Sequence, residues 1–285
     1  MEMRTQVHDI IDLALAEDIG AGDITAKWFT RHRATACAEI VAREPAYLAG
    51  VQVAAEVFQR IDPTLLVRVE KTDGALLVKG DRVATIQGNA ASILTAERTA
   101  LNFIQRLSAV ATMAHRYVEA VRGTGVVILD TRKTTPGFRV LEKAAVAAGG
   151  ARNHRVGLHD MFMVKDNHLA VGLNLETLQQ MISEARAAHP GVRVELEADT
   201  LGQAQGFFSL VGVDVILLDN MSLEDMREAV RTCPAAMKLE ASGGVNLHTV
   251  RPIAETGVHF ISVGAITHSA PAIDFALDFH PIPQI

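Results

Sequence analysis

The sequence predicts an α/β protein: an incomplete parallel barrel of six strands, open along one seam, preceded by a smaller α+β unit. Three observations carry the prediction. After Gly123, six short apolar runs alternate with helical stretches, and uninterrupted strand–helix alternation implies right-handed parallel crossovers. The runs are mostly Val, Ile, Leu, Phe and Met, the composition of strands covered on both faces. Each run ends in a polar or glycine-bearing tail, and in parallel α/β folds the carboxyl ends of the strands share one face, where sites are built.

From the N-terminus, Val7, Ile10, Ile11 and Leu15 recur at helical spacing, so residues 7–17 are expected to form a helix. The stretch EDIGAGDIT, residues 17–25, breaks it with two glycines. Residues 34–88 read mostly as strand. Leu66-Val67-Arg68-Val69-Glu70 alternates, and Thr72-Asp73-Gly74 and Lys79-Gly80-Asp81 mark turns. Ser92 opens a long helical region with an apolar face of Ile93, Leu94, Leu101, Ile104 and Leu107, ending at Gly123. The barrel strands are expected at 126–129, 161–164, 192–196, 213–218, 237–239 and 260–263. The helices between them are expected at 139–148, 175–188, 203–210, 223–231 and 249–255. Asn174, and Ser222 with Asp225, are the expected N-caps, and Gly149 is the expected stop. The expected domains are 1–115, with the tail 270–285 packing back on it, and 116–269.

Composition excludes several classes. A chain of 285 residues can bury one large core or two smaller ones. A net charge of −6 argues against a general affinity for nucleic acid or anionic membrane. Cys37 and Cys233 form no CxxC pair, hence neither a disulfide framework nor a zinc site, and a reducing compartment such as the cytoplasm fits best. Acidic residues inside the first apolar stretch argue against a signal peptide. No apolar run approaches the roughly 20 residues that span a bilayer.

Against that acidic background stands a cationic island. Seven of the chain's 27 basic residues lie between Asp130 and His168, with only four of its 33 acidic ones. Its ends follow the first two barrel strands, so Arg132, Lys133, Arg155 and Lys165, with His154, are expected to converge on the rim. Arginine forks match carboxylate and phosphate oxygens, and so many cations repel one another without an anionic ligand. The island therefore points to a small molecule with several negative charges. The alternative is structural pairing with Asp130, Glu142, Asp160 and Asp166. Glu197 and Asp219 fall at the ends of adjacent strands. Such carboxylates can hold Mg²⁺ at a phosphate-rich site, cap or pair structurally, or do acid–base work. Ser242-Gly243-Gly244 and Val263-Gly264-Ala265 end the last two strands, and backbone amides in such turns can cradle a phosphate. Arg98, on the long helix, reads by itself as a surface arginine. Lys165 could alternatively form a Schiff base.

The words DTRKTTPGFRVLEK, GGARNHRVGLHDMFMVKDNHL, AERTALNFIQRLS, LLDN and EASGGV resemble the quinolinate phosphoribosyltransferase family, also called carboxylating nicotinate-nucleotide pyrophosphorylases. The likeness runs from EDIGAGDIT to VGAITHSAPAIDFALDF, nearly the whole chain. It implies an N-terminal open sandwich, an incomplete α/β barrel, and a homodimer or dimer-based hexamer. It implies transfer from 5-phosphoribosyl-1-pyrophosphate to quinolinate with Mg²⁺, releasing pyrophosphate and CO₂ and giving nicotinate mononucleotide for NAD synthesis. By resemblance, Arg132, Arg155, His154 and Lys165 hold the quinolinate carboxylates, with Lys133 between them and the sugar phosphates and Thr131 beside them. Arg98 reaches the site from the neighbouring subunit. Glu197 and Asp219 face ribose and metal, and Lys133, Lys165, Glu197 and Asp219 carry catalysis. Ser242, Gly243, Gly244, Val263, Gly264 and Ala265 take phosphate. Two departures stand out. Asp199-Thr200 follows Glu195-Leu196-Glu197-Ala198, where Glu-Val-Glu-Val is expected, and His259 stands where the family often has Asp. The alternatives are a related transferase acting on nicotinate or another small anion, and a Lys165 Schiff-base lyase.

Overall fold

The computed structural model describes residues 2–30, 34–165 and 174–281. The chain divides into two compact units, one of 1–115, 135–150 and 269–285, the other of 116–134 and 151–268. The expected second domain, 116–269, thus loses residues 135–150 to the first.

The first unit contains α1 (Glu2–Ile19), α2 (Ile24–Phe29), β1 (Thr35–Ala42), β2 (Ala46–Tyr47), α3 (Val51–Ile61), β3 (Leu66–Val69), β4 (Leu76–Leu77) and β5 (Arg82–Asn89). The long helix α4 (Ala90–Ala120) starts here and α5 (Arg139–Ala148) returns here. A four-stranded antiparallel sheet runs β12-β1-β5-β3, where β12 (Phe275–Pro281) comes from the chain's last residues. Helix α3 falls within a stretch expected to be strand. Val51, Ala54, Ala55 and Phe58 are buried, a helical spacing that the β-branched residues disguise. Its start is also hidden. Gly50 precedes it with φ +85°, and the first amides are capped from 22 and 23 residues away, where Asp73 accepts from Gly50 N–H at 2.9 Å and Val51 N–H at 3.1 Å.

Glu142 explains why α5 joins this unit. Its side chain is fully buried and accepts from Arg106 at 2.6 and 3.0 Å, from Thr135 N–H at 3.1 Å and from Thr135 Oγ1 at 2.8 Å. Gly149 closes α5 as expected, but in ordinary helical geometry with φ −76°. What demands glycine is closeness, since a Cβ there would strike the Ala111 carbonyl on α4 and come 2.8 Å from the Ala114 Cβ.

The second unit is the barrel. Its strands are β6 (Val127–Leu129), β7 (Phe162–Val164), β8 (Val194–Ala198), β9 (Val215–Asp219), β10 (Lys238–Ser242) and β11 (Phe260–Ser262), all parallel, in the order β6-β11-β10-β9-β8-β7. Between and after them lie α6 (Leu175–Ala188), α7 (Leu201–Phe207), α8 (Leu223–Thr232), α9 (Val250–Ala254) and α10 (Ala265–His268). β6 and β7 end the order at opposite edges, which leaves the seam. The seam is lined on the β6 side by the 151–155 segment. Arg152 N–H donates to Ile128 O at 2.9 Å and Asp130 N–H to Arg152 O at 3.1 Å. Asn174 and Ser222 cap their helices as expected, through Thr177 N–H and Asp225 N–H. Helix α7 begins two residues earlier than expected, on a Thr200/Gln203 capping box. Among the described residues no helix is long and apolar enough to cross a membrane.

Strands β8, β9 and β10 run further than their apolar runs, to residues 198, 219 and 242, and absorb Glu197, Asp219, Glu240 and Ser242. Alternate side chains enter the barrel interior, where polar groups do not interrupt the ladder.

Glu142→Ala removes charge-assisted hydrogen bonds to half-buried Arg106 and is expected to destabilise the fold by about 2 kcal/mol. Urea unfolding of the variant and the parent measures this directly.

Candidate active site

The barrel interior is built by the two-residue period of its strands. Met163 and Lys165 on and after β7, Glu195 and Glu197 on β8, Leu217 and Asp219 on β9, Glu240 and Ser242 on β10, and Ser262 on β11 all line interior cavities. The cavity at the carboxyl ends has a volume of about 280 Å³. It gathers Thr131, Arg132, Lys133, Lys165, Glu197, Asp219 and Ser242 from the strand tails and His154 and Arg155 from the segment before β7, nine residues expected from the sequence. Gly243, Gly244, Val263, Gly264 and Ala265 belong to the turns beside it and do not line it. Arg98 is exposed on α4 in the first unit. Asp166, Asn167 and His168 lie outside the described residues.

Three of the acids weighed as structural partners, Asp130, Glu142 and Asp160, are engaged within the fold. Asp130 is fully buried and accepts from His154 N–H at 2.7 Å. Asp160 accepts from Val156 and Gly157 N–H at 2.7 and 2.9 Å. Glu142 serves Arg106. Asp130 and Asp160 thereby shape the 151–160 loop. Lys165 Nζ meets Glu197 Oε2 at 2.9 Å, which places the lysine at the edge of the carboxylate pair. Arg155 is almost wholly buried, with Nη2 against Met163 Sδ at 3.2 Å. Burial first, and Arg132 second, pull its pKa below the ordinary arginine value. A buried guanidinium with a second, half-buried one in the same cavity forms a site that an anion would relieve.

Beneath the cations lies a layer that sequence reasoning missed. His154 Nε2 stands 3.2 Å from Glu195 Oε2 and 3.5 Å from Glu240 Oε1, and all three residues are buried. A second cavity of about 260 Å³ opens below, toward the amino ends of the strands, and shares His154 and Glu240 with the first. Burial, then the Glu195 carboxylate, pushes the Glu240 pKa up to about 8. Glu240 is thus a neutral acid at neutral pH, which spares an anion-binding site a buried negative charge. A sequence cue existed: Glu195 and Glu197 share one face of a strand at i, i+2.

Two clusters among the described residues have the ligand types for a metal ion. In the inner one, His154 Nδ1 accepts from Arg155 N–H at 2.7 Å. The ring hydrogen then sits on Nε2, facing the glutamates, and that nitrogen has no lone pair to offer. The outer cluster fits better. Glu197, Asp199 and Asp219 each offer a carboxylate oxygen, within 4.8 Å of one another, the hard donor set of Mg²⁺. Asp199, which follows Glu197 in the same strand tail, therefore joins the two expected residues. His259 accepts from Leu239 N–H at 3.1 Å through Nδ1, a main-chain tie at the start of β10.

The two glycine turns differ from expectation in one respect. The helices after them, α9 and α10, have five and four residues, too short for a helix dipole to contribute much. The turns themselves are unusual: Gly243 and Gly244 are left-handed, at φ +92° and +61°. At Gly264 an added Cβ would come 3.0 Å from Lys133 Cδ and 3.1 Å from His268 Nε2, so both side chains run past it. His268 was not among the expected site residues, and nothing in its surroundings in sequence distinguishes it.

Known proteins resemble the chain over nearly its whole length. Residues 23–108 match the family described as quinolinate phosphoribosyl transferase, N-terminal domain, and residues 110–278 match the C-terminal domain. A Mycobacterium leprae protein named nicotinate-nucleotide pyrophosphorylase [carboxylating] is 41% identical over 281 residues, 95% of this chain and 96% of that protein. A Bacillus subtilis protein named probable nicotinate-nucleotide pyrophosphorylase [carboxylating] is 40% identical over 274 residues, 96% of this chain and 93% of that protein. The solved nicotinate-nucleotide pyrophosphorylase of Francisella tularensis superposes with a TM-score of 0.90 at 36% identity, covering 97% of this chain and 96% of that one.

The folded chain keeps a proton on Glu240 up to about pH 8, whereas an unfolded chain releases it near the ordinary glutamate value of 4.5. The residue therefore costs stability increasingly as pH rises between those values. Glu240→Gln is expected to gain thermal stability over the parent as pH rises from about 5 to about 8, which paired melting curves would measure.

Proposed function

The chain belongs to the quinolinate phosphoribosyltransferase family, and from that premise we propose that its barrel mouth joins quinolinate to 5-phosphoribosyl-1-pyrophosphate, releasing pyrophosphate and CO₂ and giving nicotinate mononucleotide. The observation that carries this reading is the convergence of Arg132, Lys133, Arg155 and Lys165 on one cavity.

Each residue has a part. Arg132, Arg155 and Lys165 clamp the two carboxylates of the pyridine, and His154 lines the same cavity beside them. Thr131 Oγ1 accepts from Lys133 N–H at 3.0 Å, and Thr267 Oγ1 donates to Lys133 O at 2.7 Å; together they aim Lys133 between the diacid and the sugar phosphates. The Ser242-Gly243-Gly244 and Val263-Gly264-Ala265 turns offer backbone amides to phosphate. Glu197 and Asp219 face the ribose and steady positive charge at its reacting carbon as pyrophosphate departs. The pyridine nitrogen attacks that carbon. Once alkylated, the ring is cationic and stabilises the electron pair left on its carbon when the adjacent carboxylate departs as CO₂; that pair then takes up a proton from solvent, which gives the C–H of the product. Mg²⁺, if held by Glu197, Asp219 and Asp199, would neutralise the leaving pyrophosphate. Clamping a diacid also sets specificity, because a monocarboxylate leaves a buried cation without its partner, at a cost of several kcal/mol.

We further infer a homodimer, or a hexamer built from three such dimers, in which Arg98 of one subunit completes the site of the other. Its support is an exposed arginine within the AERTALNFIQRLS word. The cytoplasm is the expected compartment, on the free cysteines Cys37 and Cys233. A Schiff-base lyase through Lys165 is disfavoured because that lysine is engaged by Glu197.

Purified protein given quinolinate, phosphoribosyl pyrophosphate and Mg²⁺ is expected to release CO₂ and pyrophosphate together. Turnover of nicotinate at a comparable rate would overturn the diacid assignment. Arg132→Ala and Arg155→Ala should each lower kcat/KM for quinolinate by roughly ten- to a hundredfold, the loss of a charged hydrogen bond. An impaired Arg98→Ala chain mixed with an impaired Arg132→Ala chain should regain, in mixed dimers, part of the activity that each lacks alone. Verified mixed dimers without that recovery would remove Arg98 from the shared site.

A further inference from the structure

Asn220 closes the LLDN word, and neither the clamp nor the carboxylate pair uses it. Its backbone is left-handed, with φ +52°, the one residue other than glycine in that region among the described residues. A side chain costs roughly 1–2 kcal/mol in that conformation, least for asparagine. Such an outlier persists where its surroundings hold it. Three contacts do so here. Asn220 N–H donates to Ser242 O at 2.9 Å. Asn220 Nδ2 donates to Asp219 Oδ2 at 2.9 Å. The amide also lies against Gly243, itself at φ +92°, where an added Cβ would collide with Asn220 Oδ1 and come 2.8 Å from Nδ2.

We propose that Asn220 is a positioning residue that locks the Asp219 carboxylate and the Ser242-Gly243-Gly244 turn into one preset seat for the sugar pyrophosphate. The inference rests on the reading above, in which those two groups serve 5-phosphoribosyl-1-pyrophosphate. β9 and β10 are neighbours, with Asp219 paired to Ser242 in register, but their tails are separate loops. Each tail by itself would lose conformational freedom when the ligand arrives. The lock moves that loss into folding, so the seat is ordered before binding. It also explains two residue choices at once. Gly243 must lack a side chain because the amide occupies that space. Residue 220 must carry an amide because a carboxylate would set two anions side by side at Asp219. The diacid clamp comes from β6, the seam segment and the end of β7, so the lock should not affect quinolinate.

The test uses the full chain with Asn220→Gly, Asn220→Asp and the parent. Asn220→Gly keeps the left-handed backbone without strain and removes only the side chain. Calorimetric titration with phosphoribosyl pyrophosphate and Mg²⁺ is expected to show about tenfold weaker binding for Asn220→Gly, the loss of a hydrogen bond to a charged group. KM for phosphoribosyl pyrophosphate should rise alongside, while KM for quinolinate stays at the parent value and the melting curve stays two-state. Asn220→Asp should bind at least as weakly as Asn220→Gly despite its matching shape. Parent-like binding by Asn220→Gly would overturn the lock alone. An equal rise in both KM values would reduce Asn220 to a scaffold residue and overturn it as well. A parent chain that binds no phosphoribosyl pyrophosphate would overturn the subsite reading, and the lock with it.

Discussion

Two residues apart on a strand means the same face of a sheet, and the site depends on that constraint. Six short strands bring their inward positions together in layers, and the layers differ in kind. Apolar Val215 and Phe260 line the lower cavity with Arg193 at its edge. Glu195 and Glu240 occupy the middle, against His154. Lys165, Glu197, Asp219 and Ser242 reach the mouth. A register slip of one residue would turn these groups toward the covering helices and bring Leu196, Leu218 and Ala241 inward.

The vertical order of charge follows from solvation. Cations at the mouth remain near water and can await a ligand. The carboxylates below them are deep, and one escapes the cost of charge by keeping its proton. Had Glu240 ionised, it would have offset the field that Arg132 and Arg155 create for an anion. Buried Asp130 works differently, since it accepts from the His154 main-chain amide and so shapes the loop that delivers His154 and Arg155. Asp130 and Asp160 thus support the loop that carries Arg155, whereas Glu197 and Asp219 line the mouth cavity itself.

Local chemistry made much of this legible. The Asn174 and Ser222 caps, the long α4 and the alternation of strands with helices each depend on residues close in sequence. Helix α3 was not legible, because Asp73 caps it from a distant turn. The membership of α5 was not legible either. Glu142 is one acid among neighbouring cations in sequence, and only folding pairs it with Arg106. The ends of β8, β9 and β10 were set too early for a related reason: apolar runs mark the covered part of a strand, but inward polar residues continue the ladder past it.

The sequence by itself determined the fold class, the cationic island and nine of the residues around the mouth cavity, because strand tails in a parallel fold share one face whatever their detailed geometry. Tertiary structure alone decided which acid meets which cation, that Glu240 is neutral, and that Asn220 sits left-handed over Gly243. The reason is range. Periodicity and capping act within a few residues of chain, whereas burial and ion pairing depend on partners up to scores of residues away that meet only when the sheet closes.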